Sequence, residues 1–161
     1  MDVHQEAELL RNVPFFAGLD RAKLKLLAFT SASLQFAPGE AIVRQGEAGD
    51  SAFVILEGEV EIVRESHGGE ILLTVQGRNA LVGEMGVLTN APRAATGRAR
   101  TPVRVLRISR DVFLKLVAEN PPCALHVMRL LSSRLAEQLH EHERLREQLR
   151  EAQMAAGIRV S

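Results

Sequence analysis

The residues best suited to chemistry stand between Gly83 and Thr96. They are the run Gly83-Glu84-Met85-Gly86-Val87-Leu88 and, after it, Asn90-Ala91-Pro92-Arg93-Ala94-Ala95-Thr96. A bound phosphate needs converging backbone N–H groups, glycines that permit close approach, and usually a guanidinium. Gly83 to Leu88 is expected to form one helical turn whose N-terminal amides make an anion nest. Asn90-Ala91-Pro92 then returns the chain, so that Arg93 closes over the same pocket. Glu84 is the odd member, because a carboxylate repels phosphate yet accepts hydrogen bonds from a sugar hydroxyl. A ligand carrying both groups satisfies both residues, and a cyclic ribose phosphate is such a ligand.

Three compositional zones must position this stretch. The first, roughly residues 5–30, reads as two short helices: Leu9 and Leu10 close one, Pro14 interrupts, and Asp20 N-caps the next ahead of Leu24, Leu26 and Leu27. The middle zone, roughly 34–108, alternates β-favouring runs with turn signals. The runs are Ala41–Val43, Phe53–Leu56, Val60–Val63, Ile71–Val75 and Val103–Leu106; the turns hold Pro38-Gly39, Gly46, Gly49-Asp50, Gly58, Gly68-Gly69 and Gly77. Val60 to Arg64 and a partner from Glu70 are expected to form a hairpin across Gly68-Gly69. The third zone starts with Ser109 as an N-cap, continues with Val112, Phe113, Leu116 and Val117 on one helical face, and passes Asn120-Pro121-Pro122. A long helix to about residue 155 follows. On it Leu131, Leu135, Gln138, His142, Leu145, Leu149, Ala152 and Ala156 alternate by four and three, a coiled-coil seam with two polar interruptions. Glu141 with Arg144, Glu143 with Arg146 and Glu147 with Arg150 are spaced to pair on its outer face.

The fold expected is α+β: an antiparallel, jelly-roll-like β-roll flanked by N-terminal helices and a long C-terminal helix. Residues 1–120 would hold the helices, roll and phosphate-binding stretch, and 121–161 a lid or dimerisation helix of the same single domain. At 161 residues the chain suits one domain with a substantial core. Lys plus Arg equals Asp plus Glu at 20 each, so no long-range field draws it to nucleic acid or an anionic membrane. The long helix carries five arginines against five glutamates over 126–151 and offers no basic stripe. A single cysteine, Cys123, makes neither an internal disulfide framework nor a cysteine-based metal site. Neither a secretory signal nor a run of about 18 apolar residues is present. The chain thus reads as soluble and cytoplasmic. His140 and His142, two apart on a helix, do not face each other and cannot chelate together. No catalytic acid–base pair or triad emerges, so no enzyme, metal or cofactor is expected.

The Gly83–Thr96 stretch resembles the phosphate-binding cassette of the cyclic-nucleotide-binding domain family, which includes regulatory subunits of the cAMP-dependent kinase, cyclic-nucleotide-gated channels and the catabolite activator protein. The run from Arg44-Gln45-Gly46-Glu47 through Gly49-Asp50 to Glu57-Gly58-Glu59-Val60 resembles a second family signature, in which the glycines are read as serving β-roll turns. Val13-Pro14-Phe15-Phe16 and Phe113-Leu114-Lys115-Leu116 with Asn120-Pro121 extend the similarity over roughly 9–139. Val82 stands where the family usually has an aromatic, and Gly97 where it has a β-branched residue.

The resemblance implies that Glu84 binds the ribose 2′-hydroxyl and Arg93 the cyclic phosphate, with backbone near Gly83, Met85, Gly86, Ala94 and Ala95 completing the cradle. In the family a hydroxyl after the arginine favours cGMP, so Ala94 points to cAMP, with cGMP as the second ligand. Aligning from Asn120-Pro121 places Gln138 where it would meet the adenine. A cAMP-responsive regulatory module, homodimeric through 131–156 and acting on an unidentified effector, is therefore expected. The alternatives are a ligand-free interaction module of the same fold and the sensor part of a transcription regulator lacking its DNA-binding domain.

Overall fold

The structure is a computed structural model that describes residues 2–157. It divides into two compact units, Met1–Cys123 and Ala124–Ser161.

The first unit opens with α1 (Val3–Arg11), started by a reciprocal cap: Gln5 N donates to Asp2 Oδ1 at 2.8 Å and Asp2 N to Gln5 Oε1 at 3.1 Å. Pro14, lacking an N–H, starts a 3₁₀ turn over Pro14–Phe16. Asp20 then caps α2 (Arg21–Thr30) by accepting from Lys23 N at 2.9 Å, as its position predicted.

Eight strands follow among the described residues: β1 (Ala32–Phe36), β2 (Ala41–Val43), β3 (Ser51–Glu57), β4 (Val60–Ser66), β5 (Gly69–Gln76), β6 (Leu81–Val82), β7 (Thr96–Ala99) and β8 (Val103–Ser109). They form two four-stranded antiparallel sheets, ordered β1-β8-β3-β6 and β2-β7-β4-β5. The hairpin register differs slightly from expectation. Ser66 pairs with Gly69, so His67-Gly68 makes the turn and Gly69, at φ 109°, belongs to β5. Three strands escaped the sequence reading: β1 and β7 are poor in β-branched residues, and β6 spans two residues.

Between the sheets Val43, Phe53, Ile55, Val60, Val82, Ala99, Val103 and Val105 form one buried cluster. Full burial of such side chains stabilises by about 1.5–3 kcal/mol each. Gly97 fits here because a Cβ would press on Val43 Cγ2 at 3.1 Å and Val60 Cγ1 at 3.4 Å. Val82 fills its place as a core member. The alternate residues Ala52, Val54, Leu56, Leu106 and Ile108 are equally buried, because α2 and α4 (Arg110–Glu119) pack on the other face of β3 and β8. Ser109 caps α4 through Val112 N at 3.4 Å. Phe15 stacks on Phe113 at 5.1 Å between ring centroids, and the buried Cys123 thiol donates to Phe15 O at 3.5 Å. Burial pushes that thiol's pKa up, the opposite of what a nucleophile needs.

α5 (Pro121–Ala155) begins in the first unit and makes up most of the second. In the second unit Glu141 and Arg144 pair at 3.8 Å. Among the described residues Glu143 with Arg146 and Glu147 with Arg150 do not close, because solvated side chains gain too little from pairing to fix their rotamers. No helix among the described residues is long and apolar enough to cross a membrane.

Candidate ligand-binding site

Strand β6 delivers the chain to the site by pairing Val82 with Phe53 of β3. Gly83 follows in the left-handed region at φ 83°, and α3 (Glu84–Thr89) starts immediately after it. Gly83, at the N-cap, has no side chain with which to cap this helix. Asn90, also left-handed at φ 54°, ends α3 and accepts a hydrogen bond from Arg110. The short helical turn inferred from Gly83 to Leu88 is therefore present.

The return strand is fixed by backbone pairing. Arg93 N donates to Glu47 O at 2.8 Å, and Gly46 N donates to Arg93 O at 2.9 Å. This pins the Arg93 main chain and sends its side chain inward, where the residue is 7% exposed. Its Nη2 donates to Ser51 O at 2.8 Å and its Nη1 to Gly83 O at 3.3 Å, with the Phe53 ring centroid 5.9 Å from Cζ. Asp50 Oδ1 lies 3.8 Å from Nη2, a loose ion pair. Burial presses the Arg93 pKa down from its usual value, and the Asp50 and Glu47 carboxylates push it back up. An arginine stays charged throughout, so the site holds a desolvated cation.

Two glycines make the geometry possible. A Cβ on Gly83 would stand 2.5 Å from Arg93 Nη1. A Cβ on Gly49 would collide with the carbonyl of Gly86, because that loop backs directly onto α3. Gly49 is therefore a close-packing residue of the cassette, whereas Gly46 (φ 87°) and Gly58 (φ 94°) serve turns as expected. Ala94 is exposed and Ala95 half-buried, and neither amide has an acceptor among the described residues. The Thr96 hydroxyl accepts from Gln45 N at 2.9 Å and so ties the cassette to the upstream signature.

The structure thus sets Gly83 and Gly86 against the Arg93 side chain, with Glu84 and Met85 between them at the start of α3 and Ala94 and Ala95 following Arg93 on the lead into β7. Gln138 stands exposed on α5 in the other unit. Sequence reasoning missed Asp50, Ser51, Phe53 and Arg107, which surround the Arg93 guanidinium or its anchors. Gly49-Asp50 carried the available signal, but it was read as turn chemistry alone. A cavity of about 380 Å³ opens beside Arg93, its walls including Phe36, Phe53, Asp50, Ser51 and Arg107.

Residues 33–120 match the family described as "Cyclic nucleotide-binding domain". The chain is 29% identical over 129 residues to a CRP-like cAMP-activated global transcriptional regulator of Mycobacterium tuberculosis, covering 80% of this chain and 58% of that protein. It is 33% identical over 115 residues to a cAMP-dependent protein kinase regulatory subunit of Mycosarcoma maydis, covering 68% of this chain and 22% of that one. The sensor domain of the transcriptional regulator DNR from Pseudomonas aeruginosa superposes with a TM-score of 0.78 at 27% identity, over 86% of this chain and 94% of that one. The chain therefore spans little more than half of the mycobacterial protein and under a quarter of the fungal one.

Proposed function

The chain belongs to the cyclic nucleotide-binding domain family, and we propose that it is a cAMP-responsive regulatory module whose ligand phosphate is held by Arg93. The observation that carries this reading is the state of that guanidinium. It is buried and charged, and two of its five N–H donors are bound to Ser51 O and Gly83 O. A desolvated cation with donors to spare, beside the unbonded Ala94 and Ala95 amides and the uncapped start of α3, is matched by a singly charged phosphodiester. Glu84, at the first position of α3, accepts the ribose hydroxyl, and the methyl of Ala94 supplies no hydroxyl to a guanine. Gln138 reads the adenine from α5, which acts as lid and dimerisation helix of the same domain. The names of the mycobacterial and fungal relatives, both tied to cAMP, support the choice of ligand.

Ligand contacts to both cassette and long helix would make binding free energy favour the conformation or dimer in which both exist. The module is a sensor and not a catalyst, and its output passes to an effector.

Calorimetry with cAMP and cGMP on the wild type, Arg93→Ala and Arg93→Lys tests this. Micromolar or tighter cAMP binding is expected, with cGMP weaker and a loss of at least about tenfold in Arg93→Ala. Arg93→Lys keeps the charge but lacks the planar fork, and falls between the two. Absent binding, or equal binding in the wild type and Arg93→Ala, sinks the reading.

A further inference from the structure

Asp50 is shared by two arginines. Its Oδ1 lies 3.8 Å from Arg93 Nη2, while Arg107 Nη2 holds its Oδ2 at 3.4 Å. Arg107 Nε also donates to Ser51 Oγ at 3.1 Å, and that hydroxyl donates to Asp50 Oδ1 at 2.9 Å. Ser51 is buried, and its own carbonyl is the shorter of the two anchors of Arg93. Arg107 thus grips both the side chain and, through Ser51, the backbone that set the Arg93 guanidinium. It comes from β8, paired across to β3 by Phe53↔Arg107 and Ser51↔Ser109, so the sheet itself fixes where it reaches.

The Asp50 side chain is 69% exposed, and without Arg107 the Ser51 hydroxyl on Oδ1 is left to restrain it against the pull of Arg93. A free carboxylate next to a buried guanidinium closes onto it, since the loose 3.8 Å pair shortens into a charge-assisted hydrogen bond. The guanidinium would then be neutralised by its own protein, in direct competition with a ligand phosphate. We propose that Arg107 is a positioning residue that holds Asp50 off Arg93 and so keeps the phosphate-binding cation available. This rests on the reading of Arg93 as the phosphate anchor.

A double-mutant cycle read by cAMP calorimetry tests it, with Arg107→Gln, Arg107→Lys, Asp50→Asn and the Asp50→Asn/Arg107→Gln pair. Arg107→Gln is expected to weaken cAMP about tenfold, and Arg107→Lys to restore binding to within about threefold of wild type. In the Asp50→Asn background, where no carboxylate can collapse, Arg107→Gln should change affinity less than about twofold. Wild-type affinity in Arg107→Gln overturns the proposal and leaves the phosphate anchor standing. A loss of the same size in both backgrounds also overturns it, because Arg107 would then act by its field alone. No binding by the wild type removes the anchor and this proposal together. Arg107 is partly exposed, and equal thermal midpoints of the variants separate affinity from folding.

Discussion

At Gly83 one missing methyl group decides both the backbone and the ligand cation. Its φ of 83° is the left-handed conformation, which costs an L side chain about 1–2 kcal/mol. In addition a Cβ would stand 2.5 Å from Arg93 Nη1, and the guanidinium would have to leave Gly83 O to make room. Gly39 separates these effects, because it has a similar φ of 91° with nothing within 4 Å of its would-be Cβ. Both Gly83→Ala and Gly39→Ala should therefore lose about 1–2 kcal/mol in urea unfolding. Only Gly83→Ala should also lose cAMP affinity, by about tenfold or more, when titrated well below its midpoint. Matching affinity losses in the two variants would mean that backbone strain, and not the position of Arg93, sets binding.

The elements differ in how far their residues announced them. Asp20 and Ser109 were readable as caps because a side-chain oxygen before an apolar helical pattern acts locally, and both caps are present. Strands rich in Val, Ile and Leu, such as β3, β4 and β8, were readable for the same local reason. β7 was not, since its Gly97 is small in order to fit against Val43, Val60 and Ile62, a demand made by distant strands. The site divides in the same way. The cassette from Gly83 to Ala95 lies in one contiguous run, whereas Ser51 meets Arg93 across 42 residues of separation and Arg107 meets Ser51 across 56. One element also carries an unmet apolar surface. β5 is an edge strand that exposes Ile71, Leu72 and Leu73, and its single charge, Glu70, is engaged by Arg98. Such an edge invites pairing between chains. Leu72→Lys should leave stability within about 0.5 kcal/mol of wild type while slowing the growth of light scattering on refolding from urea. Unchanged scattering would place the aggregation-prone surface elsewhere.

For the molecule as a whole, the question is what covers α5. In the second unit Leu131, Leu135, Leu145 and Leu149 are 40–59% exposed, all on the four-and-three seam, and the helix runs 35 residues in all. A lone helix gains little from propensity and is held by what its apolar stripe packs against. The seam's period is the one that two copies of a helix can share, with Gln138 and His142 as polar positions that fix register at some cost in stability. A homodimer through this seam is therefore expected in sedimentation equilibrium at micromolar concentration. Leu145→Glu should raise its dissociation constant by at least about tenfold, since charges at a core position cost a kilocalorie or more each. If cAMP bridges cassette and helix as proposed, linkage requires that saturating ligand shift the dimer constant, and that the Leu145→Glu monomer bind cAMP with a correspondingly different affinity. A dimer constant indifferent to cAMP would confine the ligand's effect to the first unit. A monomer at every concentration, with and without cAMP, would assign the seam to a partner other than a second copy of this chain.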